Sequence, residues 1–276
     1  MNPSPVSGGA ATRKPSKGPN LRILLTNDDG YLAPGIKALH DVLKAAGHTV
    51  TVVAPERERS GVSLSITLTD ILRAWPMTHN GMEGWFVNGT PADCVKIAVG
   101  ELLDVKPDVI FSGINQGTNV GLNANYSGTV AGAIEGALTG CPAVAVSLAS
   151  FRSHDFEAAA NAGLWVLNRL EEGLIPPMHL LSVNVPEGRP EELRGIRVTP
   201  ASMVMYREVV DRRIDHRGKE YYWLAGKTEQ LAPTPNGDNE MVEDGYISVT
   251  PLRVNLTAEQ LLEELRQRGW DEEWNA

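Results

Sequence analysis

Two adjacent aspartates, Asp28 and Asp29, end a short apolar run and are followed by Gly30. Carboxylates that close repel each other unless a cation or strong donors compensate. Hard oxygen ligands of this kind suit Mg²⁺ or Mn²⁺. The same cluster also reads as an Asx-turn beside a helix start. A second segment, G-I-N-Q-G-T-N-V-G, places Asn115 and Asn119 directly behind another strand-like run. Asparagine supplies a neutral oxygen ligand and an amide donor; an ordinary surface loop is the competing reading. A third segment, Ser127-Gly128-Thr129, opens a helix rich in Ala and Gly. The free N–H groups of a helix start bind anions, although an N-cap alone accounts for Ser127.

Other chemistries lack their residues. Ser60-Gly61 reads as a turn, and no G-x-S-x-G surrounds Ser60. The histidines have no metal-ligand spacing, and Cys94, in a helical pattern, and Cys141, at a helix end, read as buried thiols. No G-x-G-x-x-G follows the first strand, and no G-x-x-x-x-G-K-[ST] occurs.

These residues need elements to position them. Leu21 to Thr26 reads as a buried strand, and Pro34 to Ala46 as an amphipathic helix closed by Gly47. Thr49 to Ala54, Asp108 to Ser112, Ala143 to Leu148 and Leu180 to Val185 read as further strands. Helical patterns at Pro91 to Leu103, Ser127 to Gly140 and His154 to Leu170 separate them. Alternating strands and helices imply an α/β, Rossmann-like, doubly wound and mostly parallel sheet over residues 21–200. Alternation at Ser63 to Leu68 and at Trp85 to Val87 suggests an antiparallel excursion. Beyond residue 200, Met203 to Val210 and Tyr221 to Leu224 predict a hairpin around polar residues 211–220. Residues 232–245 read as a loop and Tyr246 to Thr250 as a strand. Thr257 to Arg268 reads as a terminal helix, with Thr257 and Gln260 as a capping box. The region 201–276, with little core of its own, is expected to make an oligomer contact. In G132-x-x-x-G136 the glycines predict close packing of the helix on the sheet.

Hydrophobic residues form 42% of the 276 and charged residues 21%, enough for a large core. No apolar stretch is long enough to span a bilayer, so no membrane partner is expected. The net charge of −9 disfavours a nucleic-acid polymer as partner. A small phosphorylated ligand remains compatible, because a local cation or helix terminus overrides the global sign. Residues 1–20, rich in Pro, Ser and Gly, read as a flexible tail without a secretory signal, and the cytoplasm is the expected compartment.

Five motifs together resemble one family. T-N-D-D-G at 26–30, A-P-x-x-x-x-S-G at 54–61, G-T-P-A-D-C-V at 89–95, S-G-I-N-x-G-x-N at 112–119 and Y-S-G-T-V at 126–130 resemble the SurE (survival protein E) family of nucleotidases. The resemblance implies a metal-dependent phosphatase acting on nucleoside 5′-monophosphates, with 3′-nucleotides and short polyphosphate as further substrates. It implies one divalent cation per subunit, Mg²⁺ or Mn²⁺, held by Asp28, Asp29, Ser60 and Asn115. It implies phosphate contacts at Asn119, Ser127, Gly128 and Thr129, with Asp28, Asp29 and Asn115 serving catalysis. It also implies a homodimer or homotetramer built through the C-terminal hairpin and tail. Two other activities would use the same crevice: a non-catalytic nucleotide or phosphate sensor, and a metal-dependent glycosyltransferase holding a diphosphate on the acid pair.

Overall fold

The structure, a computed structural model, describes residues 20–170 and 173–272. The tail expected over residues 1–20 lies outside the described residues except for Asn20. The first half of the chain runs β1 (Arg22–Thr26), α1 (Pro34–Ala45), β2 (Thr49–Pro55), β3 (Ala74–His79), β4 (Met82–Val87), α2 (Pro91–Ile97) and β5 (Val109–Gln116). It continues through α3 (Gly128–Leu138), β6 (Ala143–Ala149), α4 (Glu157–Leu167), β7 (His179–Pro186) and β8 (Ile196–Val198). The last elements are β9 (Val204–Ile214), β10 (Glu220–Gln230), α5 (Asp238–Glu243), β11 (Ile247–Arg253) and α6 (Glu259–Gln267).

Nine strands form one sheet in the order β3-β4-β2-β1-β5-β6-β7-β11-β8. The six strands from β4 to β7 are mutually parallel; β3 pairs antiparallel with β4, and β11 antiparallel with β7. The fold is therefore α/β, Rossmann-like and doubly wound, with a C-terminal hairpin and a terminal helix. Helices cover both faces. Leu39, Leu43, Phe111 and Val166 belong to the core under α1 and α4, and Leu24, Val53, Val95 and Ala133 to the core under α2 and α3. Central strands buried on both sides have no polar face, which is why they read as plain apolar runs. In α3, Gly132 lies against Ser112 and Thr26, and Gly136 against Ala143 and Ile110, so these glycines do seat the helix closely on the sheet.

Several expectations are corrected. Ser63 to Leu68 is not a strand, because side chains capture its polar groups. Asp93 accepts from the Thr67 N–H (3.0 Å) and hydroxyl (2.7 Å), and the Thr90 hydroxyl donates to the Ser65 carbonyl (2.8 Å). The antiparallel excursion is instead the β3–β4 hairpin. Strand β5 runs four residues past Ser112 into the Gly/Asn segment, with a register shift between Gly113 and Asn115. The hairpin strands extend into the polar stretch 211–220, β9 as far as Ile214 and β10 from Glu220, since both their faces meet solvent and no apolar alternation is required. Residues 232–245 contain the short helix α5, fixed at its start by buried Asp238, which accepts from the N–H groups of Ser202 (2.8 Å) and Gly121 (2.9 Å). Thr257 does not cap α6; Ala258 occupies that position without a side-chain bond. The sheet also crosses the expected boundary near residue 200, because β11 lies between β7 and β8. Among the described residues no helix is long and apolar enough to cross a membrane.

Candidate active site

Chain order reverses between β1 and β5: β2 and β4 lie on one side of this pair, β6 and β7 on the other. In such sheets the crevice beyond the carboxyl ends of the strands at this switch binds ligands. Asp28 and Asp29 leave the end of β1, and Asn115 lies at the end of β5. The turn after β1 is closed by Asn27, not by an aspartate: its Nδ2 donates to the Gly30 carbonyl (2.9 Å) and its Oδ1 accepts from the Gly30 N–H (3.2 Å). Both aspartate carboxylates are thereby free of the Asx-turn role. Gly30 has φ +103°, and a Cβ there would lie 3.3 Å from the Arg57 carbonyl carbon, so only glycine lets the two loops meet.

Asp28 is 4% exposed and faces the first turn of α3. The Thr129 hydroxyl donates to its Oδ1. A Cβ on Gly128 would lie 2.7 Å from the Asp28 Cβ, so glycine makes this approach possible. Burial pushes the Asp28 carboxyl above its ordinary pKa, against the opposing pull of the Thr129 bond. Asp29 is pushed up to about 7, first by burial and then by the neighbouring charge of Asp28. The Gln116 N–H donates to Asp29 Oδ2 (3.3 Å), which ties the acid pair to the end of β5. No basic side chain contributes to lowering either aspartate.

Around this pair the other sequence-selected residues are placed unequally. Asn115 is half-buried, and its Nδ2 donates to the Gly117 carbonyl (2.8 Å), which leaves Oδ1 as the free oxygen. Ser60 sits on an exposed loop held to the site by the Arg59 N–H, which donates to the Asp28 carbonyl (2.7 Å). Ser127 is the N-cap of α3, its Oγ accepting from the Val130 N–H (3.1 Å). The Thr129 side chain is engaged by Asp28. Asn119 points into a buried polar network: its N–H donates to Asn184 Oδ1 (2.8 Å) and its Nδ2 to Ser147 Oγ (2.8 Å).

Sequence reading passed over Glu58. The Ser60 hydroxyl donates to its Oε1 (2.7 Å), and its charge bears on both Asp28 and Asp29. The surrounding E-R-E-R run offers no signal by itself; the A-P-x-x-x-x-S-G frame around it was the clue available. Among the described residues no group of three or more His, Cys, Asp or Glu is arranged to hold a metal ion. A cation here would depend on two carboxylates completed by neutral oxygens. That donor set fits Mg²⁺ or Mn²⁺: two crowded carboxylates that no basic side chain among the described residues lowers, and an amide oxygen at the adjacent strand end. A cleft of about 700 Å³, lined by Arg57, Arg59, Arg73 and Asn88 among others, adjoins the same loop.

Fold and site define an α/β protein whose doubly wound sheet brings an acid pair and the start of a helix together at its carboxyl edge. The chain belongs to the family described as Survival protein SurE, whose model matches residues 23–208. It is 44% identical over 254 residues to the 5′-nucleotidase SurE of Thermosynechococcus vestitus, with 90% of this chain and 96% of that one covered. It is 42% identical over 261 residues to the 5′-nucleotidase SurE of Desulforudis audaxviator, covering 92% and 99%. Among solved structures it resembles the SurE protein from Aquifex aeolicus, with a TM-score of 0.77 and 38% identity over 90% of this chain and 99% of that one.

Proposed function

We propose that the protein is a divalent-metal-dependent phosphatase that hydrolyses nucleoside 5′-monophosphates to nucleoside and inorganic phosphate, with 3′-monophosphates and short polyphosphate as further substrates. The observation that carries this reading is the acid pair, with buried Asp28 lying against the start of α3 and half-buried Asp29 tied to the end of β5, in a chain whose relatives are named 5′-nucleotidases. Asp28, Asp29, Ser60 and Asn115 would hold one Mg²⁺ or Mn²⁺ per subunit. When bound, such an ion polarises the phosphoryl group and neutralises charge that develops on it. Asp28 is fixed for this task by Thr129, and Asp29 by the Gln116 N–H. The Gly128 N–H, with the positive end of the α3 dipole behind it, would stabilise an anionic phosphoryl oxygen, the Val130 N–H being taken by the Ser127 hydroxyl. Asn119 then acts indirectly, bracing the 117–121 segment through Ser147 and Asn184. The cleft beside Arg59 and Asn88 has a volume suited to the nucleoside.

The partner is a second copy of the chain, in a dimer or tetramer formed through the β9–β10 hairpin. The two free, buried cysteines accord with a reducing compartment, and the reading assigns the protein to the cytoplasm. The test is phosphate release from AMP, GMP and a 3′-nucleotide with Mn²⁺, Mg²⁺ or EDTA. Release from AMP with metal and none with EDTA is expected. Nucleotide binding without any release would make the protein a sensor and end the phosphatase reading.

A further inference from the structure

We infer that Glu58 is a positioning residue that sets the Ser60 hydroxyl as a metal ligand. The inference rests on the metal reading above. A serine hydroxyl has one proton and two lone pairs. In this structure the proton has an acceptor: Ser60 Oγ donates to Glu58 Oε1 at 2.7 Å. A hydroxyl whose proton is held by a carboxylate is a better and better-aimed oxygen donor, as with other groups that orient metal ligands from behind. The loop carrying both residues is anchored at the right place. The Arg59 N–H, between Glu58 and Ser60, donates to the Asp28 carbonyl (2.7 Å), and a Cβ on Gly30 would meet the Arg57 backbone at 3.3 Å. Without Glu58, an exposed serine on an exposed loop would exchange its proton among waters and lose its aim.

The test is Mn²⁺ binding measured by calorimetry on the full chain, for wild type, Glu58→Ala, Ser60→Ala and the double variant. Glu58→Ala is expected to weaken binding about tenfold. In the Ser60→Ala background the same change is expected to cost less than about twofold, because a residue acting through Ser60 has nothing left to position. An undiminished loss in that background would show that Glu58 acts only by its charge and would overturn the inference. So would unchanged binding in Glu58→Ala. Wild type that binds no Mn²⁺ removes the metal reading itself, and this role with it. Both side chains are exposed, so thermal melting of the variants should match wild type, separating loss of aim from loss of fold.

Discussion

Asp28 is a buried carboxyl beside a second one, with the Thr129 hydroxyl donating to it. Replacing it with Asn keeps an oxygen for the Thr129 hydroxyl and removes the charge. Phosphate release from AMP should then fall on the order of 100-fold or more. In EDTA the same variant should melt no lower than wild type, because a buried carboxyl crowded by a second one has been replaced by a neutral amide. Activity within about threefold of wild type would take Asp28 out of the reaction. Gly128→Ala makes a second test. Its new methyl collides with Asp28, so activity should drop while the circular dichroism of the fold persists; unchanged activity would mean that the helix start and the acid pair are not coupled. The acid pair, Asn115 and the helix start were legible in the sequence because the five motifs occur together; alone, each has an ordinary use as an Asx-turn, a loop or an N-cap. Glu58 was not, because a glutamate in a mixed-charge run has many. The Asn119 network was hidden too: its partners, Ser147 and Asn184, are remote in sequence and are joined only by the register of β6 and β7.

At the scale of elements, β1 and β5 are clamped at their starts as well as carrying the site at their ends. Asp108 accepts from the Arg22 N–H (2.7 Å), Nε (3.1 Å) and Nη2 (2.6 Å). These bonds to Arg22 hold the Asp108 carboxyl below its ordinary pKa. A carboxyl with a lowered folded pKa adds stability above its unfolded pKa and loses it as pH falls through the folded value. Asp108→Asn should therefore lower the melting temperature at pH 7 by about 1–2 °C, as surface pairs do, and the difference should shrink as pH falls below the ordinary carboxyl range of about 4. A difference that stays constant with pH would remove the ionic part of the clamp. The β9–β10 hairpin is a separate case. A lone two-stranded ribbon is marginal in water, yet this one pairs over eleven positions with Val209, Val210, Trp223 and Leu224 exposed. Val210 and Leu224 face each other across the strands. Replacing both with Lys should reduce the mass seen by light scattering to that of one chain; an unchanged mass would acquit the hairpin. The sequence revealed that these strands exist but not their length, because a ribbon wet on both sides carries no periodic apolar signal.

For the molecule as a whole, the net charge of −9 repels an anionic substrate at a distance. At saturating Mn²⁺, kcat/KM for AMP should rise as KCl is raised from about 20 to about 150 mM, because salt screens that repulsion. A fall would mean that the arginines of the neighbouring cleft dominate the approach. Fold class was readable from the alternation of doubly buried strands and helices. The far edge of the sheet was not, since β8 has three residues and β11 pairs with partners distant along the chain. That late strand has a consequence for synthesis. As the chain leaves the ribosome, β7 emerges more than sixty residues ahead of β11, the neighbour that will cover it. Until then its backbone is a bare template that any nascent strand could join. A stop codon placed after the hairpin would make that passing hazard permanent.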